Sequence, residues 1–357
     1  MANPTQLLHR AGQSLWLDNI TREILDNGTL VDYRDRYSVT GLTSNPSIFD
    51  KAIGSGDAYK DAIKASDKTD PEQVFFDLAI DDLRRAAAIF EPAHARTAGV
   101  DGWVSLEVSP LLVGDTDGTI AQAVELHARA ATSNLYIKVP GTSAGTGAIE
   151  ELTYRGVPVN VTLLFSPTQY QAAAEAWMRG VERRIEENLN PDVASVASIF
   201  ISRWDVKVAP KTPEGMHNRL GLAVAGSTYA RYCNVLNSAR MQRLLNAGAR
   251  PQRLLWASTG AKDPKASDVM YIENLAAPLT INTIPGKTLL AYADHGTLKL
   301  SMNPDDNHAR AELEQFAKLG LHVDPLATQL QDEGASAFSK SWKELLDTIK
   351  KSMRSPK

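Results

Sequence analysis

Asn134-Leu-Tyr-Ile-Lys-Val-Pro140 reads as a strand in which Leu135, Ile137 and Val139 alternate with Tyr136 and Lys138. Its β-branched and aromatic content fits burial, and Pro140 followed by Gly141 ends it. A lysine in the middle of such a strand is out of place. A buried ammonium is costly unless paired, and it responds by lowering its pKa. An uncharged lysine amine attacks carbonyls to give a Schiff base. Taken alone, a strand-end lysine more often snorkels to water. The carboxylates and amides on the comparable strands of this chain move the reading towards chemistry.

Working outward, strands are expected at 14–20, 39–45, 102–109, 134–140, 157–165, 194–202, 253–259 and 278–284. Helical spacing falls between them. It covers 21–28, ending at Gly28, then 58–96, 119–131 and a short piece at 147–152. Ser166-Pro-Thr-Gln169 is a capping box with proline at the first helical position, opening a helix to about residue 189. Further helices are expected at 228–246, closing on Gly248, and at 268–275. A long amphipathic region follows, with Leu313, Phe316, Leu319, Phe338, Trp342, Leu345 and Leu346 on its apolar side; the basic end, 350–357, is expected to fray. Eight strands alternating with helices predict an α/β chain folded as a (β/α)8 TIM barrel. No linker or repeat divides it. One domain over 1–357 is expected, with about 305–357 packing on the barrel as a C-terminal helical region.

The 357 residues are 43% hydrophobic and 22% charged, with a net charge of -4, which gives no electrostatic footprint for nucleic acid or an acidic membrane. Cys233 is the only cysteine, so no internal disulfide forms; its helical setting predicts a small core residue. No apolar run approaches a membrane span, and the first residues carry no leader-peptide pattern. A cytoplasmic location is expected.

In a barrel of this kind the active site sits at the carboxyl ends of the strands. Asp18, Asn45, Glu107, Lys138, Asn160, Thr162, Ser198, Arg203 and Ser258 lie at or just after those ends. Doubly buried strands are nearly all apolar, so polar insertions this regular point to a ring around one mouth. Any one of them is as readily a satisfied core group or a strand-end cap; nine together are not. The ring's chemistry is coherent. A lysine imine withdraws electrons for breaking an adjacent C–C bond, and its formation needs a proton delivered to a carbinolamine hydroxyl. Cleavage next to a hydroxyl needs a base. Asp18 and Glu107 are each suited to either role. Amides and hydroxyls suit sugar hydroxyls, and Arg203 suits a phosphate.

These residues resemble the transaldolase family over most of the chain. The matching stretches are Leu17-Asp-Asn-Ile20, Thr43-Ser-Asn-Pro-Ser-Ile-Phe49, Val104-Ser-Leu-Glu-Val-Ser-Pro110, Ile137-Lys-Val-Pro140 and Asn160-Val-Thr-Leu-Leu-Phe-Ser166. The resemblance implies a cofactor-free class I aldolase-type barrel of the pentose phosphate pathway. Such an enzyme moves dihydroxyacetone from sedoheptulose 7-phosphate to glyceraldehyde 3-phosphate, giving erythrose 4-phosphate and fructose 6-phosphate. By motif, it implies Lys138 as the Schiff-base nucleophile and Asp18 as the base on the C4 hydroxyl. It implies that Glu107 and Thr162 hold a proton-relaying water, that Asn45 and Asn160 bond donor hydroxyls and the enamine, and that Ser198 and Arg203 grip the phosphate. One stretch departs from the pattern. Where many transaldolases carry Ser-Phe-Arg after strand seven, this chain has Ala257-Ser-Thr-Gly-Ala-Lys-Asp263. Lys262 then stands in for the second phosphate-binding arginine, as a point charge rather than a bidentate fork, with Ser258 contributing.

Other readings compete. Gly286-Lys-Thr288 is not a phosphate loop, because Ile281 occupies the position of its first glycine. Gly141-Thr-Ser-Ala-Gly-Thr-Gly147 does not fit a dinucleotide fingerprint and is expected to be a mobile loop near the substrate. The seven histidines show no ligand spacing, so no metal is expected, and His295 reads as a surface or supporting residue. An aldolase of the same superfamily releasing free dihydroxyacetone, and an inactive sugar-phosphate-binding barrel, remain the alternatives. A pyridoxal phosphate enzyme, which also uses a lysine imine, would show itself by absorption. The expected partners are phosphorylated sugars alone, with the chain acting as a monomer or homodimer.

Overall fold

The computed structural model of the chain describes residues 3–54 and 56–354. Its eight strands are β1 (Gln13–Asp18), β2 (Val39–Thr43), β3 (Val104–Glu107), β4 (Leu135–Pro140), β5 (Val159–Leu164), β6 (Ser195–Phe200), β7 (Arg253–Ala257) and β8 (Thr280–Ile284). Seven fall inside the stretches expected for them, and β1 begins one residue before its own. Pairing is parallel throughout, in the order β2-β1-β8-β7-β6-β5-β4-β3. The Leu42 N–H donates to the Trp103 carbonyl at 3.0 Å, bringing β2 against the start of β3 and nearly closing the ring. Gly41 makes that approach possible, since a Cβ there would sit 2.5 Å from the Trp103 carbonyl oxygen. The TIM-barrel expectation holds.

The helices show where pattern reading runs over breaks. The expected helix at 58–96 is two, Lys60–Ala65 and Pro71–Arg96, because Asp70 caps the second and Pro71 sits in its first turn. The expected 228–246 is likewise two, Leu220–Leu236 and Ala239–Asn246, with Ser238 capping the second. Ser166 caps Pro167–Glu186 as expected, but Gln169 reaches back to the Phe165 N–H instead of closing the box on Ser166. The glycine-rich stretch at 141–147 is not a mobile loop. Thr142 caps a helix, Ser143–Tyr154, and Gly145 is needed there because a Cβ would lie 1.8 Å from the Pro140 carbonyl oxygen. Five α-helices had no reading: Pro4–Arg10, Thr29–Tyr37, Pro46–Gly54, Ser202–Val208 and Gly286–His295. The end does not fray at Lys350, since the last helix, Val323–Arg354, runs through it; 355–357 lie outside the described residues. Cys233 is half-buried rather than a core residue, and His295 is exposed and bonded to Asp268 and Asp294. No helix among the described residues is long and apolar enough to cross a membrane.

The last helix positions the site. At 32 residues it is about 48 Å long. Trp342 packs its ring against Phe75 (4.9 Å between centroids) and Phe76 (5.6 Å), tying the helix to Pro71–Arg96. Ser341 pairs with Ser47 at 2.9 Å, Gln331 reaches the ends of β4 and β5, and Phe338 turns into the mouth of the barrel. At the opposite, amino end the barrel is clasped by Asp101, which is 3% exposed. It accepts from Ser14 Oγ (2.5 Å), Trp16 Nε1 (2.8 Å), Thr40 Oγ1 (2.8 Å) and its neighbour Gly102 N–H (3.0 Å). Arg253 is buried beside it, donating to Ser14 Oγ, the Thr280 carbonyl and the Val100 carbonyl.

Replacing Asp101 by alanine strands three buried side-chain donors from β1 and β2. The expected loss of stability is about 3 kcal/mol, read as a lower urea midpoint with an unchanged slope. A loss below about 0.5 kcal/mol would show that the clasp does not hold β1 and β2 to the segment before β3.

Candidate active site

Lys138 enters the barrel from β4 and is 6% exposed. Its Nζ donates to the Ser44 carbonyl at 2.8 Å and to Glu107 Oε2 at 3.3 Å. β3 and β4 pair Glu107 directly with Lys138, so the ion pair follows from register alone. The buried ammonium is thus answered, as its environment demands. Asp18 ends β1 on the other side; its Oδ1 accepts from Thr43 Oγ1 at 3.2 Å, and Thr43 bonds Thr283 at 2.7 Å. Burial pushes the Asp18 carboxyl above its ordinary range, opposed by Lys138, the Thr43 bond and Lys262. Burial likewise raises Glu107, against the Lys138 charge and hydrogen bond, with Asp18 adding repulsion. Two carboxyls with raised affinity for protons therefore flank one amine. That is what proton transfer around an imine requires.

The strand ends frame a cavity of about 360 Å³. Asp18, Asn45, Lys138, Thr162, Ser198, Arg203, Ser258 and Lys262 line it, eight of the ten residues expected at the site. Glu107 and Asn160 do not reach the wall. Glu107 touches the cavity through Lys138. Asn160, paired with Lys138 in the β4–β5 register, is fully buried; its amide donates to Ser105 Oγ at 3.2 Å and accepts from Ser198 Oγ at 2.7 Å.

The wall is divided by chemistry. Asn45 Oδ1 accepts from the Ile48 N–H at 3.1 Å, which fixes the amide at the start of Pro46–Gly54. Thr162 Oγ1 is buried with no hydrogen-bond partner among the described residues, so a donor–acceptor group points at the cavity unanswered. Arg203 pairs with no carboxylate among the described residues. It lies over the rings of Phe200 (5.4 Å) and Phe338 (5.8 Å), and burial lowers its pKa from the usual arginine range. Ser258 bonds Ser202 at 2.9 Å beside it, and Lys262 is exposed at the rim. Ser258 (φ +55°) on the wall and Leu163 (φ +60°), next in the chain to the wall residue Thr162, hold left-handed backbone, costing about 1–3 kcal/mol each.

Thr43, Ser47, Lys51, Phe200, Thr283 and Phe338 also line the cavity and had no functional reading. Thr43 was legible as a polar residue close to the expected end of β2. Phe338 was not, because an apolar position on an amphipathic helix carries no sign of which surface it meets.

A family model described as "Transaldolase/Fructose-6-phosphate aldolase" matches residues 15–349. The chain is 39% identical to a transaldolase of Parafrankia sp. over 366 aligned positions, covering 99% of each chain. It is 41% identical to a transaldolase of Thermobifida fusca, over 98% of each. It is also 41% identical to one of Thiobacillus denitrificans, over 97% of this chain and 99% of that one.

The raised Asp18 pKa makes a signed prediction. Folding favours the protonated carboxyl, so its contribution is complete below the unfolded-state pKa and is lost as pH rises through the folded-state value. Ionising Asp18 therefore costs more in the folded than in the unfolded chain. Asp18→Asn should raise the Tm more at about pH 8 than at about pH 4. An equal gain at both, measured by differential scanning calorimetry, would contradict the assignment.

Proposed function

The chain belongs to the transaldolase/fructose-6-phosphate aldolase family, and from that premise we propose that it is a transaldolase acting by a Lys138 Schiff base. The observation that carries the reading is one buried amine held 3.3 Å from a carboxylate at the base of a polar cavity, with a second carboxylate on its wall. Lys138 gives its proton to Glu107 and attacks C2 of the donor ketose phosphate. Glu107, through a water shared with Thr162, returns a proton to the carbinolamine hydroxyl, which leaves as water. Asp18 then takes the proton of the C4 hydroxyl, the C3–C4 bond breaks into the imine, and an aldose phosphate departs. The three-carbon enamine stays on Lys138 until an acceptor aldehyde phosphate enters. Asp18 gives its proton to the new alkoxide, and hydrolysis of the imine releases the product.

Asn45 bonds the donor's hydroxyls from the wall, and Asn160 does so from beneath by exchanging its bond from Ser198. Arg203, left without a carboxylate among the described residues, grips the phosphate with Ser198 and Ser258. Lys262 adds charge at the rim. The substrates are sugar phosphates: with donor sedoheptulose 7-phosphate and acceptor glyceraldehyde 3-phosphate, the products are erythrose 4-phosphate and fructose 6-phosphate. No cofactor enters any step. We place the enzyme in the cytoplasm, a reading supported by its single cysteine and the lack of a membrane-spanning helix among the described residues.

Incubation with fructose 6-phosphate and borohydride should leave a reduced dihydroxyacetone adduct on Lys138, found by peptide mass spectrometry. Erythrose 4-phosphate should discharge the unreduced intermediate. Steady release of free dihydroxyacetone without that discharge would instead mark an aldolase, and an adduct on another lysine would overturn the mechanism. Arg203→Ala should weaken phosphorylated substrates by about 100-fold, equivalent to roughly 2.7 kcal/mol, and leave unphosphorylated ones nearly unchanged. Lys262→Ala should cost about tenfold or less.

A further inference from the structure

The carboxyl end of β5 is irregular at a defined place. Val161 pairs with Ala197 and Leu164 with Ile199, so three steps along β5 match two along β6. This is a β-bulge. It leaves Leu163 at φ +60°, directly after Thr162, whose hydroxyl faces the cavity without a partner. A bulge beside a reacting group re-aims a side chain, and it persists only where its surroundings hold it.

The holding group comes from the last helix. Gln331 Nε2 donates to the Leu163 carbonyl at 2.8 Å and to the Gly141 carbonyl at 3.1 Å. Gly141 directly follows β4, the strand that carries Lys138, and its own N–H donates to the Thr162 carbonyl at 2.7 Å. One side-chain amide therefore clips the ends of the two strands whose side chains must meet. Gly334, one turn on, lets the helix come this close, since a Cβ there would sit 3.0 Å from Leu163 Cδ2.

We infer that Gln331 is a positioning residue for the Schiff-base reaction: by bonding both carbonyls it holds the β5 bulge, and with it the Thr162 hydroxyl, in register with Lys138. The inference rests on the proposed transaldolase chemistry. Gln331 itself touches no reacting atom. Its effect belongs to the steps that form and hydrolyse the imine, whereas Arg203 holds the phosphate by separate contacts. Loosening the clip should thus lower kcat and spare KM, because a displacement of about an ångström costs up to about 100-fold in rate.

Three variants of the full chain test this. Gln331→Met keeps the length and removes the donor; kcat and the rate of borohydride-trapped adduct on Lys138 should both fall at least about tenfold, with KM changed less than about twofold. Gln331→Lys restores a donor of similar reach and should recover most of the rate. Gln331→Glu donates only when protonated, so its rate relative to the unaltered enzyme should rise as pH falls through the carboxylate range. This holds the test open even where Gln331→Met fails to fold. Adduct formation at the unaltered rate in Gln331→Met would overturn the inference. So would a loss confined to KM, no recovery in a folded Gln331→Lys, or a flat pH ratio in Gln331→Glu. Absence of any adduct in the unaltered enzyme would instead sink the transaldolase reading, and this inference with it.

Discussion

The short contacts of Lys138 Nζ with the Ser44 carbonyl and Glu107 govern the structure around them. A single ammonium placed inside a barrel of apolar strands must find acceptors or lose its proton. Ser44, just past β2, and Glu107 of β3 supply the acceptors, and these strands lie where the ring is nearly closed by one main-chain bond between Leu42 and Trp103. The Lys138 amine is consequently held by two segments that must stay aligned for it, at the seam where the ring closes.

The two ends of the barrel solve opposite problems. At the amino end the two buried charges are hydrogen-bonded: Asp101 collects four donors, and Arg253 is bound to two carbonyls and a hydroxyl. At the carboxyl end groups are left wanting partners. Asp18 and Glu107 are held above their ordinary pKa, Thr162 has an unanswered hydroxyl, and Arg203 faces only aromatic rings. The folding free energy is a sum over the whole molecule, so the hydrogen-bonded groups of the floor and an apolar outer layer offset the cost of such a mouth.

What the sequence made legible follows from period and punctuation. Strand alternation and the prolines after Val139 and Ser109 located all eight strands, polar residues at their ends located seven of the cavity's lining groups, and the family resemblance added Lys262. Local pattern could not register the breaks at 66–70 and at Asn237, where caps override a continuous apolar stripe. Nor could it show that Asn160 spends its amide on Ser105 and Ser198, since that depends on strand register across the barrel. The β5 bulge was equally hidden: Leu163 looks like any strand leucine, and its left-handed backbone is imposed by a residue far along the chain.

The helix that covers the mouth follows all eight strands in chain order. During synthesis the ring can assemble before Gln331 and Phe338 have left the ribosome. For that interval the Lys138 amine exists without its cover. The order of the elements thus sets a brief period in which the mouth of the nascent barrel stands uncovered, ended by the arrival of the final helix.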